Sequence, residues 1–264
     1  MSPEPLDWPL EALHEMLAIH WPSACAEVVA EVDSTNADLM RRARAGHAVP
    51  TLLIAEAQTA GHGRRGRSWQ APAAGAALMF SLGVPLAPRD WSGLSLTVGL
   101  ALAQALHPDL RIKWPNDVWW QERKLSGILI ETAAAADGDA RHTVIGVGIN
   151  LVEPPPGDYS TPPAWIGEWQ PGVTAPVVLR QILPPLVAAL QTFERTGFAP
   201  FQADFAARDA LAGRAVHLSD GTDGVACGVA PDGALQLRTA GGVQSIRSAE
   251  VSVRPLRRAA EGVR

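Results

Sequence analysis

Between Arg111 and Leu151 the chain alternates apolar runs with short polar breaks, and that pattern admits little besides an antiparallel sheet. The runs are Arg111–Trp114, Val118–Trp120, Lys124–Thr132 and Thr143–Leu151. Breaks of a few residues between such runs let each strand pair with its sequence neighbour. Glycine and aspartate at 137–139 mark the tip of the last hairpin. Further strands are expected upstream at Val28–Val32, Leu52–Ala55 and Ala76–Val84.

Helical patterns fall between and around these strands. Leu10, Leu13 and Leu17 give a short helix within Pro9–Trp21. Ser34 and Thr35 stand where an N-cap belongs, Asp38 completes a capping-box spacing from Thr35, and Gly46 stops the helix after Ala45. A broad leucine face predicts a helix from Asp90 to Leu106. Two more helices are expected at Val177–Glu194 and Phe201–Leu211, the first interrupted by Pro184-Pro185. The proline-rich stretch from Pro154 to Pro176 reads as a long irregular connection.

After Gly213 the texture changes. Ala215–Ser219, Gly224–Val229, Ala234–Arg238, Val243–Arg247 and Val251–Arg254 are short β-like runs separated by Asp-Gly and Gly-Gly turns. Five such strands make a small barrel or sandwich. The fold class is therefore α+β, with a mixed sheet and helices in residues 1–212 and a small β domain in residues 213–264.

Composition narrows the function classes. With 47% hydrophobic and 19% charged residues, the chain is an ordinary globular protein. A net charge of −5 gives no global attraction to nucleic acid or anionic membrane, so any basic site must be local. Cys25 and Cys227 lack metal-ligand spacing and read as buried small hydrophobes. No run of about 18 uninterrupted apolar residues suggests a membrane span. The first residues carry no basic region followed by an apolar one, so a reducing cytoplasm is the expected setting.

Between Gln58 and Trp69 stand three glycines (Gly61, Gly63, Gly66) and three arginines (Arg64, Arg65, Arg67). Glycine permits close backbone approach, and arginine offers forked donors suited to phosphate and carboxylate oxygens. Lys113-Trp114-Pro115-Asn116-Asp117 is a strand end followed by a bend that presents Asn116 and Asp117, with Lys124 opening the next strand. Gly146-Val147-Gly148-Ile149-Asn150 places two glycines along a strand, where a ligand or another backbone comes close. Ser34-Thr35-Asn36 can cap a helix or bind a polar group. Taken one at a time, each is equally an ordinary basic turn, hairpin tip, packing glycine or cap.

Taken together and in order, these pieces resemble the bacterial biotin–protein ligases. The resemblance runs through Asp33-Ser34-Thr35-Asn36, the segment from Gln58 to Trp69, Lys113–Asp117, Arg123-Lys124-Leu125-Ser126-Gly127-Ile128, Gly146–Asn150 and Arg247-Ser248-Ala249-Glu250. One departure stands out: the second loop position is usually arginine in that family, and here it is His62.

The resemblance implies the fold of class II aminoacyl-tRNA synthetases and biotin–lipoate ligases, with an SH3-like tail. It implies two reactions, activation of biotin by MgATP to biotinyl-5′-AMP, then transfer to a lysine of a biotin carboxyl carrier protein such as that of acetyl-CoA carboxylase. Ser34, Thr35, Asn36, Gln58, His62, Gly63, Arg64 and Lys124 match biotin contacts. Arg65, Arg67, Trp69, Asn116, Asn150, Trp165 and Arg247 match positions near ATP. Lys124, Arg64 and Asp117 carry the catalysis, Asp117 by orienting or deprotonating the incoming lysine. No resident protein metal, no DNA and no membrane are implied, and a homodimer is compatible.

Two other readings share parts of this pattern. A lipoate–protein ligase has the same fold and chemistry, against which the arginine loop and C-terminal barrel favour biotin. A biotin-responsive repressor carries an N-terminal winged helix, for which the 32 residues ahead of Asp33 are too few.

The three loop glycines and the lack of apolar anchors predict that segment 59–70 moves when no ligand is bound. Limited proteolysis checks this: biotinyl-5′-AMP should protect the segment, and equal cleavage with and without it would sink the idea.

Overall fold

The computed structural model describes residues 6–69, 74–134, 140–247 and 253–256. A seven-stranded sheet runs in the order β1-β2-β3-β7-β6-β5-β4. Its strands are β1 (Cys25–Val32), β2 (Thr51–Gln58), β3 (Ala77–Leu86), β4 (Arg111–Lys113), β5 (Asp117–Trp120), β6 (Arg123–Ala134) and β7 (Arg141–Asn150). β1 and β2 pair in parallel through the crossover helix α2 (Thr35–Arg44), and all other neighbours pair antiparallel. The antiparallel run β4–β7 is the meander expected from the sequence. The expected tip at 137–139 lies outside the described residues.

Alternation along the strands divides the sheet into two unlike faces. Leu52 and Ile54, Leu78, Phe80 and Leu82, Ile112, Val118, Ile128, Ile145, Val147 and Ile149 all enter the main core. That face is covered by α3 (Leu94–Leu106) and α4 (Ala175–Thr196), with Leu13 and Leu17 of α1 (Leu10–Ala18) joining the same core. The opposite face carries α2 over a small second core of Leu39, Met40, Ala43, Leu53, Ala133 and Val144. The remainder of that face is mostly small or polar, with Ser81, Lys113, Asp117, Gly127, Glu131, Gly146 and Gly148 beside the apolar Met79 and Leu129.

Several elements differ from expectation. α4 is continuous although Pro184 and Pro185 lie inside it. Each proline removes a backbone donor and crowds the preceding turn, but Pro184 is exposed and Pro185 half-buried, so freed carbonyls reach water. Ile182, Leu183, Leu186, Val187 and Leu190 meanwhile hold the helix to the core. By length and composition α4 could cross a membrane, yet here those side chains are packed inside the fold. α3 begins at Leu94 because Gly93, at φ 83°, turns the chain just before it. The 3₁₀ turn Ala199–Phe201 precedes α5 (Gln202–Arg208), which ends three residues before Leu211. Neither cysteine is a core residue: Cys25 is half-buried at the start of β1 and Cys227 is exposed.

The C-terminal strands form a separate five-stranded antiparallel sheet in the order β11-β10-β9-β8-β12. They are β8 (Ala215–Leu218), β9 (Asp223–Val229), β10 (Leu235–Thr239), β11 (Gly242–Ile246) and β12 (Val253–Pro255). Val216, Leu218, Ala226, Leu235, Leu237 and Val253 are buried at its centre.

Asp209 sits at the junction before this sheet, beside the start of β4. Its neighbour Ala210 donates to Ile112 O at 3.0 Å, and its Oδ1 accepts from Leu211 N at 2.8 Å. Oδ2 is buried with no hydrogen-bond partner among the described residues. Burial pushes this carboxyl up to about 6. The folded state therefore binds this proton more tightly than the unfolded chain, and stability falls as pH rises from about 4 through about 6. Asp209→Asn keeps the Leu211 bond without the buried charge. Its stabilising effect in thermal denaturation should be small at pH 4 and grow to its full size by pH 8.

Candidate active site

The N-terminus of α2 supplies the first wall. Ser34 is the N-cap and accepts from Ala37 N at 3.4 Å. The cap is thus one residue earlier than the Thr35–Asp38 spacing suggests, and Asp38 instead pairs with Arg41 and Arg42. Thr35 donates through both N and Oγ1 to Gln58 Oε1, at 2.8 and 3.2 Å. Ser81 Oγ lies 2.7 Å from Thr35 Oγ1 and 2.6 Å from Asn36 Oδ1, and Asn36 Nδ2 donates to Glu131 Oε2 at 3.0 Å. A buried cluster of hydroxyls and amides with fixed donors and acceptors suits a neutral, hydrogen-bonding ligand.

The glycines of β7 make room for this cluster. A Cβ at Gly146 would stand 2.1 Å from Asn36 Oδ1, and one at Gly148 would stand 2.3 Å from the Trp69 indole. Two side chains therefore lie directly on the β7 backbone, the close approach that glycines in a strand imply.

The arginine loop closes over the same region. It is a small hairpin with a bridge between His62 and Ser68, one 3₁₀ turn at Arg64–Gly66, and hydrogen bonds from Gly63 N to Arg67 O (2.6 Å) and Trp69 N to Gly61 O (2.8 Å). It thus contains more regular structure than its composition suggests. Arg65 takes φ 60° and donates to Ser219 Oγ at 2.9 Å, tying the loop to the C-terminal sheet. Arg64 Nη1 donates to Asn116 Oδ1 at 3.4 Å. Burial pulls the Arg64 guanidinium below its usual range, with Asp117 opposing that shift and Arg65 and Arg67 adding to it. His62 Nε2 lies 3.8 Å from Glu131 Oε2, the carboxylate that also holds Asn36.

The Lys113–Asp117 bend forms the far wall. Trp114 is buried and its indole donates to Gly233 O at 3.1 Å, while Ser95 Oγ donates to Pro115 O at 2.8 Å. With the bend pinned on both sides, Asn116 Nδ2 donates to Ile128 O at 2.8 Å and Asp117 faces Lys124, whose Nζ is 2.7 Å from Oδ1. Lys124 also lies 5.9 Å from the centre of the Trp69 ring, and Asn150 Nδ2 donates to Ala164 O at 2.9 Å.

These walls enclose a cavity of about 680 Å³. Ser34, Thr35, Asn36, Gln58, His62, Gly63, Arg64, Arg65, Arg67, Trp69, Asn116, Asp117, Lys124 and Asn150 all line it. Trp165 and Arg247 are not among the lining residues. Trp165 stands behind the rim with Arg123 over its ring at 5.7 Å, and Arg247 is exposed and 3.7 Å from Asp232. Residues 248–252, between Arg247 and β12, lie outside the described residues. From this end of the chain it is Arg254 that reaches the cavity. Sequence reasoning also assigned no role to Lys113, which strand alternation alone would have put on the Asp117 face.

Six cationic side chains line the cavity (Arg64, Arg65, Arg67, Lys113, Lys124, Arg254) against two carboxylates, Asp117 and Asp158. In a chain of net charge −5 this is a local concentration of positive charge. A polar pocket therefore runs into an anion site, with a loop across both.

Comparison with known proteins agrees with this geometry. Residues 29–150 match the model of the Biotin/lipoate A/B protein ligase family, and residues 212–254 match the Biotin protein ligase C terminal domain. The bifunctional ligase/repressor BirA of Escherichia coli is 35% identical over 86% of this chain and 73% of that protein. The biotin–[acetyl-CoA-carboxylase] ligase of Paracoccus denitrificans is 35% identical over 85% of this chain and 98% of that protein. Among solved structures, the biotin protein ligase of Aquifex aeolicus in complex with biotin and ATP superposes with a TM-score of 0.73, at 28% identity over 88% of this chain and 99% of that one. With both models matched in order and full-length relatives above 30% identity, the chain belongs to the biotin protein ligase family.

Proposed function

We propose that this chain activates biotin with MgATP to biotinyl-5′-AMP and transfers the biotinyl group to a lysine of a biotin carboxyl carrier protein. The observation that carries this reading is the joining, in one cavity, of a hydrogen-bonding pocket on α2 to a six-cation anion site. Ser34, Thr35, Asn36 and Gln58 supply the donors and acceptors that a ureido ring needs. Gly63, Arg64 and Lys124 stand where the biotin carboxylate would meet the α-phosphate, with His62 beside them. Arg65, Arg67, Trp69, Asn116 and Asn150 also line the cavity, and the resemblance assigns them to the nucleotide.

In the first step the biotin carboxylate oxygen attacks the α-phosphorus of ATP and pyrophosphate leaves. Two anions must approach, so cations held in place beforehand lower the barrier without having to reorganise. Lys124, 2.7 Å from Asp117, and Arg64, which interacts with the same carboxylate, are two such groups. Mg²⁺ would come as the counter-ion of ATP and neutralise part of the phosphate charge, and Asp117 and Asp158 are the lining carboxylates that could approach it. In the second step a carrier lysine, as the free amine, attacks the anhydride carbonyl and AMP leaves. Asp117, held by Lys124 at 2.7 Å, is the carboxylate available to orient that amine or take its proton.

The carrier of acetyl-CoA carboxylase is the proposed acceptor, as the names of the relatives suggest. Free Cys25 and free, exposed Cys227 are compatible with a reducing cytoplasm. We take residues 1–212 as the catalytic domain and 213–264 as a C-terminal module that supports it, since Gly233 and Ser219 bond to the bend and the loop.

Incubation with ATP, labelled biotin and a carrier domain should give labelled carrier, and lipoic acid in place of biotin should not. Lys124→Ala removes a charge aimed at the transition state and should lower adenylate formation by roughly 10²–10³-fold. Near-normal pyrophosphate release by that variant would show that Lys124 has another role.

A further inference from the structure

Lys113 is the one lysine of the described residues that is buried, at 8% exposure. Its neighbours Ile112 and Trp114 enter the main core, so alternation directs Lys113 to the opposite face and into the cavity. Its ammonium makes no hydrogen bond and no ion pair within 4.0 Å among the described residues. Asp117 stands opposite it in the β4–β5 ladder, but that carboxylate is already engaged by Lys124. The other charged groups around it are Lys124 on β6 and Arg64 and Arg67 on the loop, all cations.

A buried ammonium with no partner and three cationic neighbours is unfavourable for the free protein. What little exposure it keeps opens on the cavity, whereas lysines with buried stems usually carry the head group out to open solvent. A methionine would fill the same space without that cost, so packing does not account for the residue. We propose that Lys113 is a further substrate-binding residue of this site, whose ammonium takes a phosphate oxygen of the nucleotide. The proposal rests on the reading of this cavity as a nucleotide site. A phosphate is the better occupant than a lone carboxylate because Arg64, Arg67 and Lys124 converge on the same place, and several oxygens are needed to satisfy them.

Burial, reinforced by the neighbouring cations and opposed by Asp117, pushes the Lys113 amine down to about 8. A phosphate beside it favours the charged form and moves the amine back towards its usual range. Nucleotide binding above about pH 8 should therefore draw in a proton at Lys113. The free protein shows the converse. Its folded form binds this proton less tightly than the unfolded chain, so this residue's destabilising effect fades as pH rises through that range.

The test is calorimetric binding of an ATP analogue with a methylene bridge between the α- and β-phosphorus, at pH 8.5, in buffers of different ionisation heat. Wild-type protein should take up more protons than Lys113→Met, the difference being a sizeable fraction of one proton per ligand. The variant should bind roughly 10- to 100-fold more weakly, with a thermal transition no lower than wild type. Biotin alone, which has a carboxylate but no phosphate, should show no such difference. Equal affinity and equal uptake in the two proteins would overturn the proposal, as would uptake on biotin but not on the analogue. Should Lys113→Met fail to fold, Lys113→Arg keeps the test open, since a fixed charge should bind the analogue with less proton uptake than wild type. The labelled-carrier assay is independent: analogue binding with Lys113 uptake but no labelled carrier would discard the ligase reading alone.

Discussion

Strand alternation governs this structure, because the same seven strands must bury one face and equip the other. Through the middle of β2, β3 and β7, alternate residues are large aliphatic or aromatic side chains of the main core, joined by Leu125 and Ile128 of β6. The intervening residues are held to a different rule. Under α2 they are apolar, and beyond it glycine, serine, lysine and carboxylate residues predominate. One helix is too short to cover the whole face, so the uncovered remainder becomes the floor of the cavity. A one-residue slip of β7 would bury Gly146 and Gly148 and place Ile145, Val147 and Ile149 in the site. The core thus sets the register in which the site exists.

Charge is arranged on that floor against its own repulsion. Six cations surround a cavity with one central carboxylate, Asp117, and Asp117 is paired with Lys124. The bend that carries Asp117 is rigid because both of its ends are tied down, Trp114 to Gly233 and Asn116 to Ile128. A fixed carboxylate among fixed cations needs no rearrangement when substrate charge arrives, which is how electrostatic preorganisation acts.

Much of this was legible in the sequence because it depends on local pattern. The meander follows from four apolar runs with short breaks, and the Lys113–Asp117 bend from proline followed by two turn-forming residues. What escaped depends on tertiary context. Pro184-Pro185 reads as an interruption, yet five buried aliphatics of α4 outweigh two missing backbone bonds on its wet side. Trp165 and Arg247 were placed by resemblance, one within the long Pro154–Pro176 connection and the other at the end of a short β-like run, where a side chain's direction follows from contacts that no periodicity encodes. Arg254 reaches the cavity from β12, a strand whose position depends on pairing with β8 far upstream. Lys113 is the opposite case: it was given no role from the sequence, although alternation with Ile112 and Trp114 already puts it on the Asp117 face.

His62 stands where the resemblance implies arginine. Arginine is permanently charged and offers a planar fork, whereas histidine carries charge only when protonated. At this position the partner is Glu131, whose Oε2 already accepts from Asn36 at 3.0 Å and lies 3.8 Å from His62. Glu131 is therefore not left unpaired when the imidazole is neutral. The α2 pocket keeps its geometry through Asn36 and Ser81 whichever form His62 takes. The loop has other attachments as well, at Asn116 through Arg64 and at Ser219 through Arg65. The exchange of arginine for histidine thus falls on a contact with two substitutes. The positions without substitutes, Gly146, Gly148 and the Asp117–Lys124 pair, keep the residues that the geometry demands.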